Sequence, residues 1–303
     1  MKASFSVSKL GIIFLSALFL TSFTFAQTDD EPIKVDSPLV VLNATITDAK
    51  GKPVPGLKQN QFQIFEDGKE QKIEFFEAEK TPFAAVILLD SSGSMEERIS
   101  LARSAAIQFL DRLRIDDMTA IYNFDSKISL VQDFSNSRDI YEGVFDIKAN
   151  GMTILNDAII KASQELEKRP EKRRAIIVLS DGADTKSAHS AEKALKAALA
   201  AGATIYTVDM SSSEAGNTRE RIQNQGVLKN FAEKSGGKFV AAPGGVAMRE
   251  AFKNIVEELG IQYTLGYQPT NTVKDGKWRT IEVKTSNTAL NIRTRKGYNA
   301  PKQ

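Results

Sequence analysis

The stretch AAVILLDSSGSM, residues 84–95, opens with six apolar residues and closes in a Ser/Gly cluster. So short and so apolar a run reads as a strand of a parallel sheet, buried on both faces. Asp90 stands at its C-terminal tip, with Ser92 and Ser94 following at alternate positions. In open α/β sheets that edge is where ligands bind. Asp, Ser and Ser offer hard oxygen atoms without thiolate or imidazole, a donor set for Mg²⁺ or Mn²⁺ rather than zinc or copper.

Three donors are too few, and two further positions supply more. Gly151-Met152-Thr153 precedes an amphipathic segment, residues 154–166, which places a hydroxyl at a helix entrance. The run AIIVLS, residues 175–180, is a second buried-strand pattern, and it ends in Asp181-Gly182. Capping of a helix starting near Glu96 would account for Ser94 alone. It leaves Thr153 and Asp181 unexplained.

In order and local context Asp90, Ser92, Ser94, Thr153 and Asp181 resemble the metal-ion-dependent adhesion site of von Willebrand factor type A domains. The resemblance implies that the two serines and the threonine meet the ion through hydroxyl oxygens, while the aspartates act largely through bound water. It implies Mg²⁺, with Mn²⁺ as a substitute, and a coordination position open to an Asp or Glu of a protein partner. Mg²⁺ keeps near-octahedral geometry and retains water, which suits such a position.

Around this centre, residues 81–261 alternate strands with helices: strands at 84–89, 119–124, 175–180 and 204–209, helices at 99–113, 156–166, 191–201, 227–235 and 246–259. That alternation predicts an α/β fold, a doubly wound, mostly parallel sheet with helices on both faces. Residues 128–131 read as a short antiparallel edge strand after the turn at Asp125-Ser126. The polar stretch 211–225 reads as a long loop on the same sheet edge as the site.

The flanks read differently. Residues 37–79 are strand and turn throughout, with 62–66 and 71–76 forming a hairpin about Asp67-Gly68. Residues 262–298 return to strands at 262–267, 279–285 and 290–296, in which Tyr263, Tyr267 and Trp278 read as core. Neither flank has enough residues for a core alone. If they pair, the α/β domain is inserted in a small β-sandwich. The flanking stretches 51–68 and 296–298 are similar to those of exported bacterial proteins related to von Willebrand factor A.

Residues 1–26 read as a signal peptide: Lys2 and Lys9, an apolar stretch at 10–25, and small residues at Thr24 and Ala26. An uncleaved membrane anchor is the competing reading. Cleavage predicts an exported chain, periplasmic, secreted or on the cell surface, with no stable membrane span. The chain has no cysteine, which removes disulfides, thiol catalysis and a lipidated N-terminal Cys. Of 40 Lys and Arg, Lys2 and Lys9 fall in the leader, so 38 remain against 38 Asp and Glu. Bulk charge gives no reason to expect nucleic acid.

Catalytic readings fare poorly. A phosphatase of the haloacid dehalogenase type needs an acid two residues beyond the strand-tip Asp, where this chain has Ser92. No G-x-S-x-G surrounds Ser92, and His189, the only histidine, reads as a solvated loop residue. The expectation is therefore a protein-binding, adhesion-type module rather than an enzyme. An exported metal-dependent hydrolase and an assembly subunit with a purely structural metal site are the alternatives.

Overall fold

The strand at the centre of the molecule runs Phe83–Asp90, and all eight of its residues are buried. The structure, a computed structural model, describes residues 39–78, 81–138, 145, 147–149, 151–211, 218–241 and 246–302. The expected leader, residues 1–26, lies outside them.

In chain order, four strands come first: β1 (Val40–Thr47), β2 (Phe62–Glu66), β3 (Lys69–Gln71) and β4 (Phe75–Glu77). The α/β part follows with β5 (Phe83–Asp90), α1 (Ile99–Leu110), β6 (Met118–Phe124), β7 (Ile128–Ser135) and α2 (Leu155–Glu167). It continues with β8 (Arg173–Ser180), α3 (Ala191–Ala200), β9 (Ala203–Asp209), α4 (Arg219–Ser235), β10 (Phe239–Ala241) and α5 (Val246–Gly260). Four strands close the chain: β11 (Tyr263–Tyr267), β12 (Trp278–Thr285), β13 (Asn291–Arg293) and β14 (Gly297–Asn299).

The central sheet has the order β10-β9-β8-β5-β6-β7. Its strands are parallel except β7, which pairs antiparallel with β6 at the edge. Because side chains alternate across a strand, β5 feeds two cores. Phe83, Ala85, Ile87 and Leu89 pack with α1 and α5, while Ala84, Val86 and Leu88 pack with α2, α3 and α4. The α/β class read from the sequence holds for this reason: an apolar run without alternation is what two buried faces require. From β5 the chain winds outward to β6 on one side and later to β8 on the other. The reversal leaves a crevice at the C-terminal tips of β5 and β8, the switch point of such sheets.

The flanking strands form two further sheets, β13-β1-β11-β4 and β14-β12-β2-β3, which enclose Leu42, Ile64, Tyr263, Leu265 and Ile281. The register sets Val40 opposite Tyr267 and Ile281 opposite Glu66. Strand β12 alternates strictly between exposed and buried. Chain segments before and after the α/β part thus share one core.

Several boundaries differ from the sequence reading. The expected strand at 71–76 divides: β3 closes the hairpin with β2 across Asp67 (φ 48°) and Gly68 (φ 80°), and β4 joins the other sheet against β11. The expected strand at 290–296 shortens to β13, and β14 follows it beyond Lys296 in the other sheet. Helix α4 starts at Arg219, so residues 219–225 are helical rather than loop; Thr218 Oγ1 accepts from Arg221 N at 3.2 Å and caps it. The apolar periodicity begins only at Leu228, so the polar first turns gave no helical signal. Trp278 is 40% exposed rather than core, whereas Tyr263 and Tyr267 are buried as read.

Two buried charged groups tie the sandwich to the α/β layer. Arg173, fully buried at the start of β8, donates to Thr264 Oγ1 at 3.0 Å and to the Ala78 carbonyl at 2.7 Å. Glu258, near the end of α5, accepts from Tyr206 Oη at 2.6 Å, Thr45 Oγ1 at 3.2 Å and the Arg293 guanidinium.

Candidate functional site

Asp90 is buried at the β5 tip, where its two oxygens are separately held. Oδ1 accepts from Ser92 N at 2.9 Å, and Oδ2 accepts from Ser180 Oγ at 2.5 Å. These bonds pin the carboxylate between the tips of β5 and β8. Among the described contacts no cationic side chain reaches it, and burial pushes its carboxyl up from 3.8 to about 6 despite the donors Ser180 and Ser92.

Beyond Asp90 the chain turns through a short 3-10 segment, Gly93–Met95. Neither that segment nor α1 takes a side-chain cap, so Ser94 does not serve as the helix cap. Ser92 Oγ and Ser94 Oγ instead face each other at 3.1 Å. Together with Thr153 and Asp181 they line one open cleft of about 640 Å³. Four of the five expected residues therefore share a surface, and Asp90 lies buried behind it.

The Thr153 loop is held from three sides. Gly93 N donates to the Gly151 carbonyl at 3.2 Å, and Met152 N donates to Ser126 Oγ at 3.1 Å. Thr153 N donates to Thr185 Oγ1 at 2.9 Å. Gly151 has φ 79°, and a Cβ there would lie 2.5 Å from Ser126 Oγ, so only glycine brings the loop this close. Asp181 Oδ1 accepts from Ala183 N at 3.0 Å, and the residue lines the cleft.

Neighbouring polar residues sort into other tasks. Asp184 accepts from Asn156 N at 2.8 Å and Ser187 N at 3.0 Å, holding the α2 entrance. Asp125 accepts from Lys127 N at 2.9 Å within its turn. His189 is not merely solvated: its Nδ1 lies 2.7 Å from Asp157 Oδ1. Sequence reasoning passed over Ser180, whose hydroxyl joins the two strand tips by donating to Asp90 and accepting from Gly182 N at 3.0 Å. Its signal was present, a lone hydroxyl ending an apolar run just before Asp181. Thr218, Glu220, Arg221 and Asn224, from the start of α4, complete the far wall.

Among the described residues no three Asp, Glu, His or Cys side chains converge as a metal cluster. The cleft's donors are mainly hydroxyls, a set that fits a small hard dication keeping part of its water and does not fit zinc. No helix among the described residues is long and apolar enough to cross a membrane.

Comparison with known proteins follows this geometry. The sequence model of the von Willebrand factor type A domain matches residues 85–183. An uncharacterized protein of Synechocystis sp. is 32% identical over 108 residues, 34% of this chain and 26% of that protein. The match thus spans about a quarter of the curated relative's length. The solved structure of proximal thread matrix protein 1 from the mussel byssus is similar with a TM-score of 0.50 and 15% identity, over 64% of this chain and 51% of that one. A von Willebrand factor type A structure from Catenulispora acidiphila gives a TM-score of 0.48 and 12% identity, over 82% and 76%. The sequence match begins in β5 and ends just past β8, and it encloses all five expected residues: over this third of the chain the α/β part is similar to a von Willebrand factor type A domain.

Proposed function

We propose that this chain is an exported protein-binding module, in which Asp90, Ser92, Ser94, Thr153 and Asp181 hold Mg²⁺ and the cleft receives an Asp or Glu of a protein partner. The observation that carries the reading is the pairing of Ser92 Oγ and Ser94 Oγ at 3.1 Å in the cleft that Thr153 and Asp181 also line, above the buried Asp90. When bound, the ion supplies a positive centre for an anionic oxygen. Ser92, Ser94 and Thr153 would offer hydroxyl oxygens, and Asp90 and Asp181 would balance a double positive charge. A near-neutral centre of this kind favours one further carboxylate. Burial of Asp90 supports the same reading, because among the described residues no cationic side chain meets its carboxylate.

In the cleft lining, exposed Met152 offers apolar contact to whatever docks there. Selectivity would then reside in the Thr153 loop and the first turn of α4. Binding by this route involves no bond making or breaking. The test is capture of the partner from envelope or medium with Mg²⁺ and again with chelator, followed by replacement of its acidic residues one at a time with Asn or Gln. Binding lost with chelator and with one such replacement supports the module. Binding that survives chelator makes the metal structural and overturns the reading.

A further inference from the structure

A second concave surface lies apart from the metal cleft, between α3, α4 and the β12–β14 sheet. It is a cavity of about 720 Å³ lined by Leu195, Leu199, Trp278 and three lysines, Lys196, Lys234 and Lys296. Glu192 is its single carboxylate, and Asn230, Asn299 and Thr280 add neutral polar groups. It shares no lining residue with the metal cleft. Asn224 lines one and Lys234 the other, and ten helical residues set them about 15 Å apart along α4.

The lining is unusual in its chemistry. Trp278 keeps 40% of its surface exposed, which is costly for so large an apolar ring unless something covers it. One side of the indole lies on the backbone of Gly297, where a Cβ would come within 2.5 Å of ring carbon Cζ2. A glycine here lets the ring lie flat, with the remainder facing the cavity. None of the three lysines takes part in an ion pair among the described residues, although Glu192 lies one helical turn from Lys196. Three ammonium groups against one carboxylate leave this concave wall net positive, which attracts anions.

The geometry points to a binding site for an acidic saccharide, a sugar bearing carboxylate, phosphate or sulfate groups. A pyranose presents a face of C–H groups that covers an indole. Its hydroxyls donate and accept at once, matching the Asn and Thr side chains in both roles. An acidic substituent on the same ring meets the lysines through charge-assisted hydrogen bonds. An acidic peptide would use the charge but leave that combination of aromatic face and paired amides unused. This inference stands apart from the proposed metal-dependent contact.

Trp278 is the chain's only tryptophan, so its emission reports on this cavity alone. Mature protein is titrated in chelator with a galacturonic acid trisaccharide, the neutral galactose trisaccharide, inorganic phosphate and a tri-aspartate peptide. The expected result is a saturable emission change tightest for the acidic trisaccharide and weakened by salt, since exposed charges are screened over about 10 Å at 0.1 M. Replacing both Lys234 and Lys296 with Gln should weaken it roughly tenfold, given the modest worth of each exposed charge. Both side chains are exposed, so melting temperature should not move. Calorimetry with Trp278→Ala should show the same ligand bound more weakly. Equal binding of the neutral trisaccharide, equal or tighter binding of phosphate or tri-aspartate, no emission change with any probe, or indifference to the lysine replacements overturns the proposal.

Discussion

Two buried carboxylates in this molecule are treated in opposite ways. Glu258 is 9% exposed and meets the Arg293 guanidinium together with the hydroxyls of Tyr206 and Thr45. Asp90 is 0% exposed and, among the described residues, is met by Ser180 and Ser92 and by no cation. A buried charge is tolerable when paired and costly when not. The first carboxylate is complete within the fold, at the seam between helix α5 and the sandwich. The second is left short of positive charge at the C-terminal edge of the sheet, beside the open cleft.

The largest way to break the contrast is to remove the internal cation. Arg293→Ala leaves Glu258 buried without its partner, which costs on the order of 3 kcal/mol. It should lower the urea midpoint substantially while leaving any Mg²⁺ response intact. A loss below about 0.5 kcal/mol, the scale of an ordinary surface change, would show that the pair is not what holds the seam.

Neutralising the other carboxylate should act with the opposite sign. The folded-state pKa of Asp90 lies at about 6, above its ordinary 3.8, so the folded protein prefers the protonated acid. Its favourable contribution is full below pH 3.8 and is lost as pH rises through 6. That preference is worth about 3 kcal/mol at most. In chelator at pH 7, Asp90→Asn should therefore melt higher than wild type, and the two should converge toward pH 4. If Asp90→Asn melts lower at pH 7, the carboxylate is already compensated and the contrast with Glu258 fails.

Supplying the missing charge from outside is the next test. A cation that binds only the folded state stabilises it by mass action, about 2.7 kcal/mol at a hundred times its dissociation constant. Melting temperature should rise with Mg²⁺ in wild type and stay level in Asp90→Asn and Asp181→Ala. Parallel rises in all three would remove these residues from the site.

The same contrast marks what the sequence could tell. The Asp90 edge was legible because its grammar is local: an apolar run, an Asp, then Ser at alternate positions, repeated in outline at residues 175–181. The parallel sheet followed from the same runs, since burial on both faces leaves no alternation to misread. The Glu258 network was not legible. Its members, Thr45, Tyr206, Glu258, Gln262 and Arg293, come from five separate elements or their ends, and nothing in the spacing of any one of them announces the others. The short strands failed for a related reason. Residues 71–76 look like one strand but pass from one sheet of the sandwich to the other partway along, and residues 290–296 leave their sheet after Arg293 to enter the other at Gly297. The start of α4 was missed because its first turns face the cleft and carry polar residues where a core-facing helix would carry apolar ones.

The smallest effect on stability should come from the hydroxyls, and it bears most directly on function. Ser94→Ala and Thr153→Ala remove one oxygen each at the cleft and leave the backbone bonds of both loops in place: Gly93 N to the Gly151 carbonyl, and Thr185 N to the Thr153 carbonyl at 3.0 Å. In chelator each variant should melt within about 1 kcal/mol of wild type, the usual worth of a single hydrogen bond. Ser92 Oγ would lose its 3.1 Å neighbour in Ser94→Ala, but it faces the cleft and water can replace the contact. With Mg²⁺ the variants should separate from wild type, showing a diminished rise in melting temperature and no chelator-sensitive partner capture. A hydroxyl that only shapes the loop would instead lower stability equally with and without the ion. Equal losses in both conditions would make this edge a packed polar turn, and the shortage of charge at Asp90 would then need another explanation.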